Sequence, residues 1–130
     1  MVIALNHTIV AARDKHESAR FLTELLGLPE AVPMGHFLAV TLEHGLSLDF
    51  ADVAVDQPIS PQHYAFLVSE DDFDAIYGKI SDRRLPHWAD PRAARPGEIN
   101  RNDGGRGVYF RDPAGHFLEI ITRPYGSGLG

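Results

Sequence analysis

Residues 6–14 read N-H-T-I-V-A-A-R-D, and a shift of 56 lays them over Q-H-Y-A-F-L-V-S-E at 62–70. Each is a short apolar run with a histidine near its start and an acid at its end: His7 and Asp14 in one, His63 and Glu70 in the other. Such runs read as strands. A helical pattern follows each, and the same shift places Phe21 on Tyr77. A shift of 70 then lays G-H-F-L-A-V (35–40) over G-R-G-V-Y-F (105–110) and puts Asp49 on Glu119. The offset grows by 14 because the second half carries a longer loop. Two copies of one module, each with a matched histidine and carboxylate, point to a metal site formed by the pair.

Working outward from the repeat, residues 3–10 read as the first strand. Asp14, with Glu17 three residues on, has the spacing of a capping box opening a helix. Phe21, Leu22, Leu25 and Leu28 give that helix an apolar stripe, and Gly27 is a fitting stop. Residues 36–43 and 46–51 form a hairpin around His44-Gly45. In the second copy, residues 63–68 form a strand, and Ser69 caps a helix bearing Phe73, Ile76, Tyr77 and Ile80. The stretch 89–106 reads as a long loop rich in proline, glycine and arginine, and loops of that length are often functional. Residues 107–112 and 116–122 form the last hairpin, around Pro113-Ala114-Gly115. The element order is β-α-β-β-β twice, an α+β fold. One domain over 1–125 then divides into module one (1–52), a proline-bearing connector (53–61) and module two (62–125), with a flexible tail at 126–130.

The 130 residues suit one domain or two small modules sharing a core. A net charge of −6 argues against nucleic acid, which needs a concentrated basic face. With no cysteine, disulfides and thiolate ligands are excluded, so a transition metal must be held by imidazole and carboxylate. No signal peptide and no apolar run of membrane-spanning length is visible, so a soluble cytoplasmic protein is expected.

Glu119 is the sharpest single residue. It sits inside F-L-E-I-I-T, flanked by apolar residues, where a carboxylate needs a cation, a strong hydrogen-bond partner or a proton. A structural ion pair or a solvent-facing position would also account for it. A lone strand histidine is more often structural than a ligand; two at equivalent places, with two equivalent acids, change that weighing. Two imidazoles and a carboxylate on rigid strands form a recurrent set for Fe, Mn, Ni, Co or Zn with open positions for substrate. His36 is a candidate to face the pocket from its strand. His16, His44 and His116 are explained by solvation in a helix start and in turns. Trp88, Tyr64 and Tyr109 are candidate substrate-binding walls, and Arg101 is the best of the loop arginines for an anionic substrate.

These residues give the chain a resemblance to the vicinal oxygen chelate superfamily: glyoxalases, extradiol dioxygenases, fosfomycin-resistance thiol transferases and bleomycin-resistance proteins. The resemblance runs over about residues 4–123. Its strongest marker is G-V-Y-F-R-D-P-A-G-H-F-L-E-I (107–120), in which the acid after the turn maps the family's metal ligand onto Glu119. L-N-H (5–7) maps a histidine ligand onto His7, and H-Y-A-F (63–66) maps another onto His63. Asp49 takes the place of a fourth ligand, where a glutamate is usual, or of a general base.

The resemblance implies a glyoxalase-like fold, with the two modules paired into a curved mixed-sheet cleft, a divalent metal, a small-molecule substrate and a homodimer. It implies a metal-dependent lyase, isomerase or thiol transferase acting on an oxygen-rich molecule, with Glu119 and Asp49 nearest the chemistry. The rival expectation is a non-catalytic binding protein that sequesters an antibiotic or natural product. Fosfomycin is disfavoured by the loop before the last hairpin, and dioxygenase chemistry by the short chain.

Overall fold

The first strand, β1 (His7–Ala12), starts later than its apolar run suggests: Ile3 and Leu5 are exposed, and the Asn6 carbonyl accepts from the Ser47 N–H just ahead of the strand. Asp14 caps helix α1 (Lys15–Leu26), accepting from the N–H groups of His16 and Glu17, and satisfies donors a helix start leaves open. Gly27, at φ 68°, ends it in the left-handed conformation that glycine adopts without strain. Three strands follow: β2 (Val32–Met34), β3 (Phe37–Thr41) and β4 (Ser47–Asp52), with a short 3₁₀ turn over Glu43–Gly45. The second copy repeats the order as β5 (His63–Leu67), α2 (Glu70–Asp82), β6 (His87–Trp88), β7 (Gly107–Arg111) and β8 (Phe117–Ile121). This computed structural model describes residues 1–128.

Each copy builds its own mixed sheet, in the orders β1-β4-β3-β2 and β5-β8-β7-β6. The chain divides into two compact units, Met1–Ser60 and Pro61–Gly130. Within each, the first strand runs parallel to the last, and the last pairs antiparallel with the one before it.

The registers repeat with the sequence. His7 pairs with Ser47 and Ile9 with Asp49; His63 pairs with Phe117 and Ala65 with Glu119. Ala39 opposes Asp49 as Tyr109 opposes Glu119. Histidine and acid thus stand two residues apart in register and, by strand alternation, on one sheet face.

The opposite faces carry the cores. In the first unit Val10, Leu38, Val40, Leu48 and Phe50 are buried with Ala19, Leu22 and Leu25 of α1, which packs on β1, β3 and β4. In the second, Val108, Phe110, Leu118 and Ile120 are buried, as are Phe73, Ile76 and Ile80 of α2. Among the described residues no helix is long and apolar enough to cross a membrane.

Candidate functional site

Glu119 is fully buried, at 0% exposure, on β8. Its Oε1 lies 3.0 Å from Nε2 of His63, whose side chain is 49% exposed. Its Oε2 accepts the hydroxyl of Tyr125, and the hydroxyl of Tyr125 lies 2.7 Å from that of Tyr109. Burial is the largest cause raising the pKa of both phenols, and the contact with Glu119 adds to it, so both stay protonated. The Tyr109 ring stacks against the His63 ring at 5.9 Å between centroids.

Alternation along the strands extends this face. Trp88 pairs with Tyr109 and Arg111 with Phe117, so these side chains share the face of Glu119. The Arg111 guanidinium lies 4.4 Å over the Phe117 ring and 5.6 Å from the Trp88 ring centroid, exposed, and among the described residues it shows no side-chain hydrogen bond. The face therefore carries an imidazole–carboxylate pair at one place and a guanidinium held by aromatic rings at the next rung.

In the first unit, Nδ1 of His7 bonds Oδ1 of Asn6 at 2.8 Å. A donor Nδ1–H held this way leaves Nε2 as the acceptor, the arrangement metal-bound histidines use. Asp49 accepts from the Ser47 hydroxyl at 2.7 Å and is half-buried.

His63 and Glu119 are therefore brought together, while His7 and Asp49 belong to the other unit. Among the described residues no three His, Asp or Glu side chains are gathered as a metal-holding group. The pair itself suits a metal. Donor atoms 3.0 Å apart match the separation of two adjacent ligands at roughly 2.1 Å from one ion and a right angle to each other. A buried carboxylate beside an imidazole nitrogen is also the donor chemistry a divalent ion favours.

Several expectations change. His36 lies in the exposed two-residue turn between β2 and β3, not on a strand; its carbonyl accepts from Lys15 Nζ at 2.9 Å. Tyr64 pairs with buried Leu118, so it faces the core side, opposite His63, and meets His116 edge-on at 6.0 Å. Arg101 is exposed in the loop and takes no part in the hydrogen bonds around Glu119. His116 is not solvated: it is 1% exposed, and its Nδ1 accepts from the Gln62 N–H at 2.9 Å.

The loop at 89–106 is also more ordered than its composition suggests. Buried Asn100 donates to the Ala89 carbonyl at 2.9 Å, and Asp90 accepts three backbone N–H groups, from Arg92, Ala94 and Arg95. Two of its arginines are spoken for. Arg95 meets Glu98 at 3.3 Å, and Arg106 meets Glu70 and Asp74 at 2.8 Å each while covering the Phe73 ring at 4.4 Å.

Hydrogen bonds from Thr122 and then Arg106 hold the Glu70 carboxyl below its ordinary value. A depressed carboxylate stabilises the fold above its unfolded pKa, and that contribution is lost as pH falls through the folded value. Arg106→Ala is accordingly expected to lower the melting temperature by a few degrees at pH 7 and by much less at pH 3, as read by thermal unfolding at the two pH values.

A family model described as the Glyoxalase/Bleomycin resistance protein/Dioxygenase superfamily matches residues 4–120. The chain belongs to that superfamily. One curated relative, the glutathione transferase FosA of Serratia marcescens, is 30% identical over 132 residues, covering 92% of this chain and 81% of FosA. The solved structure of oxidase ChaP-H2 is 60% identical with a TM-score of 0.95, covering 99% of this chain and 100% of that one. Oxidase ChaP-H1 is 57% identical with a TM-score of 0.92, covering 96% and 99%. The two-module sheet pattern described above is the glyoxalase-like fold of this superfamily.

Arg111, Phe117 and Tyr125 are the functional candidates that motif reading passes over. For Arg111 and Phe117 a signal was present: both share strand parity with Tyr109 and Glu119.

Proposed function

We propose that the chain is a divalent-metal enzyme that oxidises a small oxygen-rich organic molecule, with dioxygen as the oxidant. His7, His63 and Glu119 would hold the ion, a set of two histidines and one carboxylate that is the usual ligation of non-haem ferrous oxygenases. The observation that carries the metal is the 3.0 Å pair of His63 Nε2 and fully buried Glu119. The oxidative direction rests on the 60% identity to oxidase ChaP-H2, which extends over both full chains. The matched oxidase is itself a chain of this size, which supports the reading against the expectation drawn from chain length.

Ferrous iron, when bound, supplies the electrons and open positions that dioxygen chemistry requires. The chain's own residues do the rest. Glu119 of β8 and His63 of β5 would supply two of the ion's ligands. Trp88, Tyr109 and Phe117 give the substrate an apolar wall that limits water. Arg111, exposed and braced by two rings, holds an anionic substrate oxygen by charge-assisted hydrogen bonds. Asp49, held by Ser47, is the second carboxylate of the proposal, a fourth ligand or a base. A homodimer is part of the same reading.

The test is oxygen uptake by the protein loaded anaerobically with Fe(II), against catechols, hydroxyquinones and enolisable hydroxyketones. Uptake that needs both Fe(II) and one of these compounds, and that disappears in His63→Ala, is expected. The 30% identity to FosA gives thiol transfer as the second reading. Consumption of glutathione or cysteine without oxygen uptake would move the function there. Tight binding without turnover that survives His63→Ala would move it to sequestration.

A further inference from the structure

The two oxygens of Glu119 face different partners, and one of those partners comes from an unexpected place. Oε1 faces His63, whereas Oε2 accepts from Tyr125 in the turn that follows β8. With its own proton committed to the carboxylate, the Tyr125 oxygen accepts from the Tyr109 hydroxyl at 2.7 Å. The Gly-Ser composition from 126 onward reads as a flexible tail. Instead, through Gly128, that segment is tied to the long loop.

Asp103 is the clasp. Its Oδ1 accepts from the N–H groups of Gly126 at 3.1 Å and Gly128 at 3.3 Å. Arg123 closes the same turn by donating to the Ser127 carbonyl at 3.2 Å. Two costs mark the clasp as tightly specified. Asp103 has φ 58°, a left-handed conformation that a non-glycine residue adopts at some strain. At Gly128 a β-carbon would lie 2.2 Å from the Asp103 backbone, so a larger residue could not close there. Residues 129 and 130 lie outside the described chain.

We infer that Tyr125 is a positioning residue for Glu119: the clasped turn sets its hydroxyl on one carboxylate oxygen and leaves the other for the metal. This rests on the metal reading above. A carboxylate pinned through one oxygen presents the other in a fixed direction and binds an ion through that oxygen alone, which is how outer hydrogen bonds orient ligands. The Tyr125 ring is 55% exposed, so loss of its hydroxyl removes the bond without emptying any core.

Co(II) titration of the full chain tests this, followed by visible d–d absorption and by competition with a chelating dye. Tyr125→Phe is expected to weaken Co(II) binding by roughly 10-fold and to alter the d–d bands, as Glu119 becomes free to bind through both oxygens. Asp103→Ala should move affinity and spectrum the same way. Wild-type binding of Co(II) with an unchanged affinity and spectrum in Tyr125→Phe would overturn the inference and leave the metal reading standing. A wild-type chain that takes up no Co(II) would overturn the metal reading, and the inference with it.

Discussion

Glu119→Leu is expected to fold at least as stably as the parent when both are metal-free, and to bind a divalent ion at least about 100-fold more weakly. Glu119 is fully buried, so its carboxylate carries a desolvation cost that two hydrogen bonds offset only in part. Leucine has a similar volume and carries no such cost. The groups left behind are not stranded, because His63 and Tyr125 are each about half exposed and can turn to water. Tyr109 keeps its bond to Tyr125. Denaturant unfolding of the metal-free proteins, beside a metal titration, separates the two effects. A loss of several kcal/mol in the metal-free state would instead make Glu119 a structural partner of His63.

His116→Ala is expected to cost about 2–4 kcal/mol and to lower the melting temperature by roughly 10 °C, without removing any proposed ligand. The imidazole is 1% exposed, so truncation leaves a cavity with polar walls. Its Nδ1 also receives the Gln62 N–H, which joins the start of β5 to the start of β8 across 54 residues of sequence. Those strand starts carry His63 and Phe117, which pair directly. The turn that delivers His116 is specified locally. Asp112 Oδ1 accepts from Ala114 N–H at 3.0 Å and His116 N–H at 2.8 Å, and Gly115 takes φ 92°. Thermal unfolding provides the measurement; a melting temperature within a degree or two of the parent would show that His116 ties nothing together.

The repeat in the sequence predicted element order, and the strand registers of the two sheets repeat with it. His7 and Asp49 on one sheet, and His63 and Glu119 on the other, stand at the same rungs because a period of two and a fixed register leave no freedom once the strands pair. Parity also held information against Tyr64, whose neighbour His63 faces the other way. Long-range closure was not legible. Composition alone gives no sign that the turn at 113–115 folds its histidine under Gln62, or that a Gly-Ser tail is fastened to Asp103. Such contacts depend on groups brought together only after both hairpins form, and a window of sequence reports on neither.

The most direct test of the central claim is an anaerobic Fe(II) titration of wild type, His7→Ala, His63→Ala and Glu119→Gln. One ion per chain bound at micromolar affinity by wild type, and lost in all three variants, is the predicted result. No uptake by wild type, or uptake that all three substitutions leave unchanged, would contradict it.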